Sequence, residues 1–300
     1  MNRMIDLGPG SLLPKVAECS QRAIEAGVLQ PISTTEERIS DDGVDFSIQV
    51  ANAPERTNQP HVGPYSPDKA FSANSELYVA DISETHYCLL NKFNVLKHHL
   101  LIVTRHFEHQ EELLKLRDFV ALCTCMREFE SLAFYNAGIT AGASQMHKHL
   151  QLVPMRLTNS RIDVPMEALF KTSNGQGARI RNLPDLPFEH AFSWISETIF
   201  DDPKRSGEIT YDLYVDLLEV LGLRGNRIDG ELRQPSPYNL IMTRRWMMLV
   251  PRTQGHCESV AINGLGFAGS LFVRDPTAMA RIRELGPMQI LSRVARPRIT

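Results

Sequence analysis

Across residues 11–27, Leu13, Val16, Ala17, Ala23 and Ile24 recur at helical spacing and Gly27 supplies a stop, which predicts an amphipathic helix. Residues 43–51 alternate apolar and polar, as a half-buried strand does, whereas 52–75 carries four prolines and many polar side chains and predicts a long loop. Strands are predicted at 77–82, 87–90 and 98–103. Helical spacing follows over 106–114 and again over 118–134, through Phe119, Leu122, Met126, Phe129 and Leu132. Beyond residue 154 the pattern loosens, and 171–178 is polar and glycine-rich, as linkers are. Helical patterns then cover 191–199 and 211–221, one or two strands fall in 235–251, and helices at 278–285 and 288–294 close the chain.

An internal echo organises these elements. Phe93-Asn94-Val95 followed by residues 99–105 parallels Tyr238-Asn239-Leu240 followed by 246–252, and Asn136, Ala141, Gly142 and Ser144 parallel Asn263, Ala268, Gly269 and Ser270. The first copy runs on into His-Lys-His-Leu-Gln and the second into Leu-Phe-Val-Arg, so only the first half carries histidines there. The division expected is a catalytic half at 1–170, a linker at 171–178 and a related half at 179–300.

Composition narrows the function classes. With 300 residues, 43% of them hydrophobic, a sizeable core is available. A net charge of −3 and a pI near 6.4 argue against a general binder of nucleic acid or anionic membrane, so a polyanionic ligand must be met by locally placed cations. Five cysteines without a C-x-x-C pair, no basic start followed by an apolar run, and no membrane-length apolar segment fit a reduced, cytoplasmic protein. Cys123 and Cys125 fall on different faces of one predicted helix, and His98, His99, His106 and His109 lack a further ligand at fixed spacing. No metal site is therefore assigned.

The chemistry concentrates in residues 142–151, Gly-Ala-Ser-Gln-Met-His-Lys-His-Leu-Gln. On a strand His147, His149 and Gln151 share one face, while Lys148, Leu150 and Leu152 share the other. The small residues just upstream let backbone N–H groups approach an anion. An imidazole is largely neutral at pH 7 and forms a high-energy bond to phosphorus, which suits nucleotidyl transfer. A metal-binding H-x-H pair and a purely structural pair are the alternatives. Arg56 and Lys69 in the long loop are possible phosphate contacts, with solvated charge the plainer reading.

Residues 136–154 resemble the active-site segment of the diadenosine tetraphosphate phosphorylases, or ATP adenylyltransferases, of the histidine-triad superfamily, in the branch of the galactose-1-phosphate uridylyltransferases. Residues 90–105, 186–190, 238–252 and 262–270 extend the resemblance, and Met146 stands where the family carries proline. The resemblance implies an α+β fold, a histidine-triad-like antiparallel sheet with flanking helices, built from two fused related halves. It implies phosphorolysis of diadenosine tetraphosphate to ATP and ADP, reversibly, through an adenylyl group on His149. His147 would orient the nucleophile, and Gln151, in place of the superfamily's third histidine, would donate a hydrogen bond to the phosphoryl group without serving as a strong acid. Gly142, Ala143, Ser144 and Gln145 would cradle the α-phosphate, with Lys92, Arg244 and Arg245 on the remaining phosphates. Asn91, Asn136 and Asn239 would fix phosphate or ribose, or hold turns. The ligands are small nucleotides and inorganic phosphate, without nucleic acid or membrane. No tightly bound cofactor is implied, although a magnesium ion could accompany the nucleotide. A hexose-1-phosphate uridylyltransferase-like enzyme and a catalytically idle nucleotide sensor are the competing readings. Oligomeric state is left open.

Overall fold

The structure, a computed structural model, describes residues 7–52, 71–155, 164–170, 179–228 and 230–298. Helix α1 (Leu12–Glu25) buries Leu12, Val16, Cys19 and Ala23 on one stripe. A hairpin follows, β1 (Thr34–Asp41) and β2 (Val44–Ala51), then β3 (Tyr78–Asp81), β4 (His86–Leu90), β5 (Leu100–Thr104), α2 (Leu116–Glu128), β6 (Ser131–Ala137) and β7 (His149–Pro154). The second half contributes β8 (Ala191–Trp194), α3 (Pro203–Val220), the short pair β9 (Asn226–Ile228) and β10 (Glu231–Arg233), β11 (Tyr238–Met242) and β12 (Trp246–Pro251). After them come β13 (His256–Cys257), β14 (Val260–Ala261), β15 (Ser270–Val273), α4 (Pro276–Leu285) and α5 (Pro287–Val294).

Eight strands form the central sheet in the order β3-β4-β5-β7-β6-β11-β12-β8, every neighbouring pair antiparallel. The halves join where β6 meets β11, with Asn136 opposite Asn239. They join again in a second sheet, β1-β2-β15, where β15 runs parallel to β2. One face of the central sheet presents Tyr135, Leu150, Leu152 and Leu240 to Phe119, Leu122 and Leu217 of the helices. On the other face Phe134, Ile241 and Met248 belong to a core with Phe267, Leu291 and Met166. Beside β7, among the described residues, that second face carries a small cluster, Tyr87, Leu89, Leu101 and Val103, with Phe71 and Tyr78 against it. No helix among the described residues is long and apolar enough to cross a membrane.

Several sequence expectations are corrected. Residues 106–114 are not helical; they form an irregular segment with a turn at 110–111, His109 bridged to His147 and the Leu113 N–H donating to the Leu232 carbonyl. The predicted helix over 118–134 ends at Glu128, and 131–137 is β6, buried at every position. A strand covered on both faces reads as a continuous apolar run, so periodicity alone cannot tell it from a buried helix. The same ambiguity applies at 191–199, which is β8 followed by a 3-10 turn at Glu197–Asp201. Strand β1 carries charged residues at Glu36, Glu37, Arg38 and Asp41 and shows no apolar alternation that would mark it in the sequence. The linker at 171–178, and Arg56 and Lys69, lie outside the described residues.

The echo between the halves shows as local structure. The 3-10 turn Ile139–Ala141 ends on Gly142 at φ 94, ψ 15, and the turn Gly264–Ala268 ends on Gly269 at φ 92, ψ 16. Phe93–Val95, however, lies in the connection between β4 and β5, whereas Tyr238–Leu240 lies inside β11, so the hairpin matching β11–β12 is β4–β5 itself.

Candidate active site

His149 opens β7 and is 3% exposed. Its Nδ1 lies 2.8 Å from the backbone carbonyl of His147. A carbonyl can only accept, so Nδ1 carries the proton and the lone pair is left on Nε2. Burial is the chief reason the ring's pKa falls from 6.5 to about 4, so the imidazole is neutral throughout the physiological range. His147 therefore orients the His149 ring through its carbonyl. Its own ring is held apart, with Nδ1 accepting from the Phe71 N–H at 3.2 Å and Nε2 lying 3.1 Å from Thr104 Oγ1. Phe71 also stands edge-on to the His149 ring, centroids 5.3 Å apart.

Two buried side chains that motif reading passed over set the main chain of this strand. The β6–β7 ladder stops at the pair Phe134–Gln151, although continuing its register would bring Asn136 opposite His149. The carboxamide of Gln110 occupies that gap. Its Oε1 accepts from the His149 N–H at 2.9 Å, and its Nε2 donates to the carbonyls of Asn136 at 2.9 Å and His149 at 3.2 Å. On the opposite face Lys148, wholly buried, places Nζ 2.8 Å from Glu108 and 3.6 Å from both Glu112 and Asp118. Burial alone would raise the Glu108 and Asp118 carboxyls. The Lys148 ammonium on Glu108, and the His86 hydrogen bond with Lys148 on Asp118, outweigh it and hold both at about 2. Asp118 also accepts the Lys115 N–H at the start of α2, so the start of β7 is tied to that helix through Lys148.

In the glycine turn the N–H groups of Gly142 and Ala143 donate to the carbonyls of Ile139 and Gly138 and are spent on the turn. Those of Ser144 and Gln145 have no hydrogen-bond partner among the described residues, so an anion would be met there, two residues further on than Gly142. A Cβ on Gly142 would stand 2.8 Å from Cα and Cβ of Asn263, which shows how closely the two glycine turns approach. Asn136 Oδ1 accepts from the Gly264 N–H and from Asn239 Nδ2, and Asn239 Nδ2 also donates to the Ala141 carbonyl, all at 2.8 to 2.9 Å. Arg252, fully buried, completes this network through Asn239 Oδ1 and the carbonyls of Gln254 and Ile262. Asn136 and Asn239 thus hold turns. A cavity of about 570 Å³ opens beside the first turn, lined by Thr140, Gly142 and Ala143 and, from the second half, by His256, Asn263, Ser270 and Arg274. His149 and Gln151 are not among its walls.

The remaining expected phosphate contacts are placed differently. Arg244 and Arg245 form the β11–β12 turn, at the end of β6 where Ala133 pairs with Met242, about 16 Å along the strands from His149. Arg244 donates to the carbonyls of Met126 and Arg127 at the end of α2, and Arg245 grips Glu167 through both carboxylate oxygens at 2.7 and 2.8 Å. These contacts give both arginines a role in the fold, away from the glycine turn. Lys92 is exposed in the β4–β5 connection, its Nζ 5.2 Å from the Phe93 ring centroid. Asn91 meets His99 and not the glycine turn. His190, from the 186–190 segment, is structural: its Nε2 accepts the Leu183 N–H and its Nδ1 meets the Phe188 carbonyl.

A neutral strand histidine with its proton on Nδ1, following in sequence a glycine turn whose next N–H groups have no partner among the described residues, is an arrangement that suits nucleotidyl transfer of the histidine-triad type. Residues 2–172 match the family model of the Ap4A phosphorylase N-terminal domain, and residues 184–297 that of the ATP adenylyltransferase C-terminal domain. The chain belongs to this family, Ap4A being diadenosine tetraphosphate, and is an enzyme of the ATP adenylyltransferase type. It is 24% identical over 307 residues to Protein APA1 of Saccharomyces cerevisiae, covering 92% of this chain and 91% of that one. It is 27% identical over 217 residues to diadenosine 5',5'''-P1,P4-tetraphosphate phosphorylase 2 of the same yeast, covering 65% and 64%. The fold is similar to the crystal structure of yeast Ap4A phosphorylase Apa2, with TM-score 0.77, 21% identity and coverage of 96% and 98%. It is also similar to Apa2 in complex with Ap4A, with TM-score 0.74, 20% identity and the same coverage.

Proposed function

We propose that this enzyme phosphorolyses diadenosine tetraphosphate to ATP and ADP, and runs in reverse, through an adenylyl group carried on His149. The observation that carries the reading is the His149 ring itself: proton fixed on Nδ1 by the His147 carbonyl, Nε2 free, and burial keeping it neutral. In the first step Nε2 attacks the α-phosphorus, a P–N bond forms, the bridging P–O bond breaks, and ATP leaves. In the second step inorganic phosphate attacks the same phosphorus, the P–N bond breaks, and ADP leaves with His149 restored. A triphosphate leaving group needs little protonation, which fits Gln151, a group unable to act as an acid. The N–H groups of Ser144 and Gln145 would meet the charge developing on the α-phosphate. The cavity between the two glycine turns would take a nucleoside. The chemistry uses the chain's own groups with no tightly bound cofactor, and magnesium would travel with the nucleotide. A cytoplasmic setting suits five free, buried cysteines.

The test is a phosphate-omission experiment with dinucleotide labelled in both adenosines. Without phosphate, one equivalent of ATP should be released and one adenylyl group should remain on the protein. Adding phosphate should then give ATP and ADP in equal amounts, and His149→Ala should show neither step. Continuous AMP release without phosphate would make the enzyme a hydrolase and overturn the reading.

A further inference from the structure

Gln151 is 8% exposed, and its Oε1 lies 2.9 Å from Nε2 of His99, a ring that is itself 7% exposed. The other nitrogen of that ring, Nδ1, lies 3.2 Å from Nδ2 of Asn91. His99 is two residues from Leu101, the cross-strand partner of Gln151, so it is a diagonal neighbour on the face that carries His149. The ring cannot drift: the Asn91 N–H donates to the His99 carbonyl at 2.9 Å, and Phe134 lies against it with centroids 5.8 Å apart.

This chain of groups has a definite polarity. An amide oxygen only accepts, so the proton of a neutral His99 sits on Nε2; its Nδ1 must then accept, and Asn91 must present its NH2 group. Burial, the main influence on this ring, lowers its pKa to about 4 and keeps it neutral. With its oxygen engaged by His99, the Gln151 nitrogen has no hydrogen-bond partner among the described residues. That nitrogen is the only donor Gln151 can offer to the oxygens of a phosphoryl group on His149. Turned over, the carboxamide would direct its oxygen at them and repel.

We propose that His99, backed by Asn91, is a positioning residue that locks the Gln151 carboxamide with its NH2 group toward the phosphoryl group carried by His149. The inference rests on the covalent reading above, yet its first measurement does not depend on turnover. In protein with ¹⁵N-labelled histidine, with the His99 signals assigned by their loss in His99→Gln, the ring should be the Nε2–H tautomer at pH 7. A ring protonated on Nδ1 would mean that both amides are reversed and would overturn the proposal, whether or not His149 is adenylylated. In the unmutated enzyme, adenylyl trapping on His149 separately tests the covalent reading.

Kinetics supply the second measurement. His99→Leu should lower kcat by about 10- to 100-fold with little change in KM, because the phosphoryl contact forms fully only during transfer. His99→Gln, which can still donate to Gln151, should recover most of the loss. Once Gln151→Leu has been made, adding His99→Leu should cost no more than about twofold. Full additivity of the two substitutions, or equal loss in His99→Gln and His99→Leu, would assign His99 to the fold alone.

Discussion

Replacing Gln110 by methionine keeps the length of the side chain and deletes both polar atoms of its carboxamide. Gln110 is wholly buried, and three backbone groups depend on it: the N–H and C=O of His149 and the C=O of Asn136. A buried polar group left without a partner costs about 1–3 kcal/mol, so three such groups should destabilise the fold by about 3–9 kcal/mol if the strands cannot close. That is a large share of the roughly 5–15 kcal/mol that holds a domain together. Closure of β6 onto β7 would recover part of it, but only by moving the His149 backbone. A displacement of about 1 Å at a reacting group can cost about 100-fold in rate. The two losses are therefore linked: what stability the strands regain, the position of His149 forfeits. Urea unfolding gives the first quantity, and the rate of a single ATP burst from the dinucleotide, taken where the variant is folded, gives the second. A variant within about 1 kcal/mol of the parent in stability and within about threefold in burst rate would show that the inserted amide does not set the strand.

The ATP burst should stay flat from pH 7 to pH 5 and fall only near 4, because burial holds His149 neutral and the internal phosphates of the dinucleotide do not titrate there; an acid limb near 6.5 would contradict this. Stability should follow the same sign: His99, His149 and His190 each have a folded pKa of about 4 against 6.5 when free, so the unfolded chain binds protons first as pH falls below 6.5. Each then withdraws up to roughly 3 kcal/mol by pH 4, and an unchanged Tm between pH 7 and 5 would refute it. Arg244→Ala with Arg245→Ala should lower stability by about 1–2 kcal/mol, chiefly through the carbonyls at the end of α2, and leave the KM ratio between the dinucleotide and ADP unchanged. A rise in KM confined to the dinucleotide would return these arginines to the polyphosphate.

The order of residues along the chain determined what needs only spacing. Alternation alone set His147, His149 and Gln151 apart from Lys148 and Leu150, and the structure buries the second set against the helices. The matching glycines at 142 and 269 were legible because only glycine readily holds φ near 90° in such a turn. The periodicities of α1, α4 and α5 were legible because each helix keeps one buried stripe. Strand β6 was not: buried on both faces, it has no polar side to mark its period, and only its neighbours β7 and β11 make it the centre of the sheet. Gln110 and His99 carry no local signal, since their partners lie 39 and 52 residues away in sequence and are reached through side-chain amide and ring nitrogens whose roles depend on what faces them. Arg244 and Arg245 read as free cations in the sequence because nothing near them is acidic. Folding brings helix carbonyls and Glu167 to meet them. Which donors remain free for a ligand is decided by what the rest of the fold consumes, and that accounting exists only once the chain has folded.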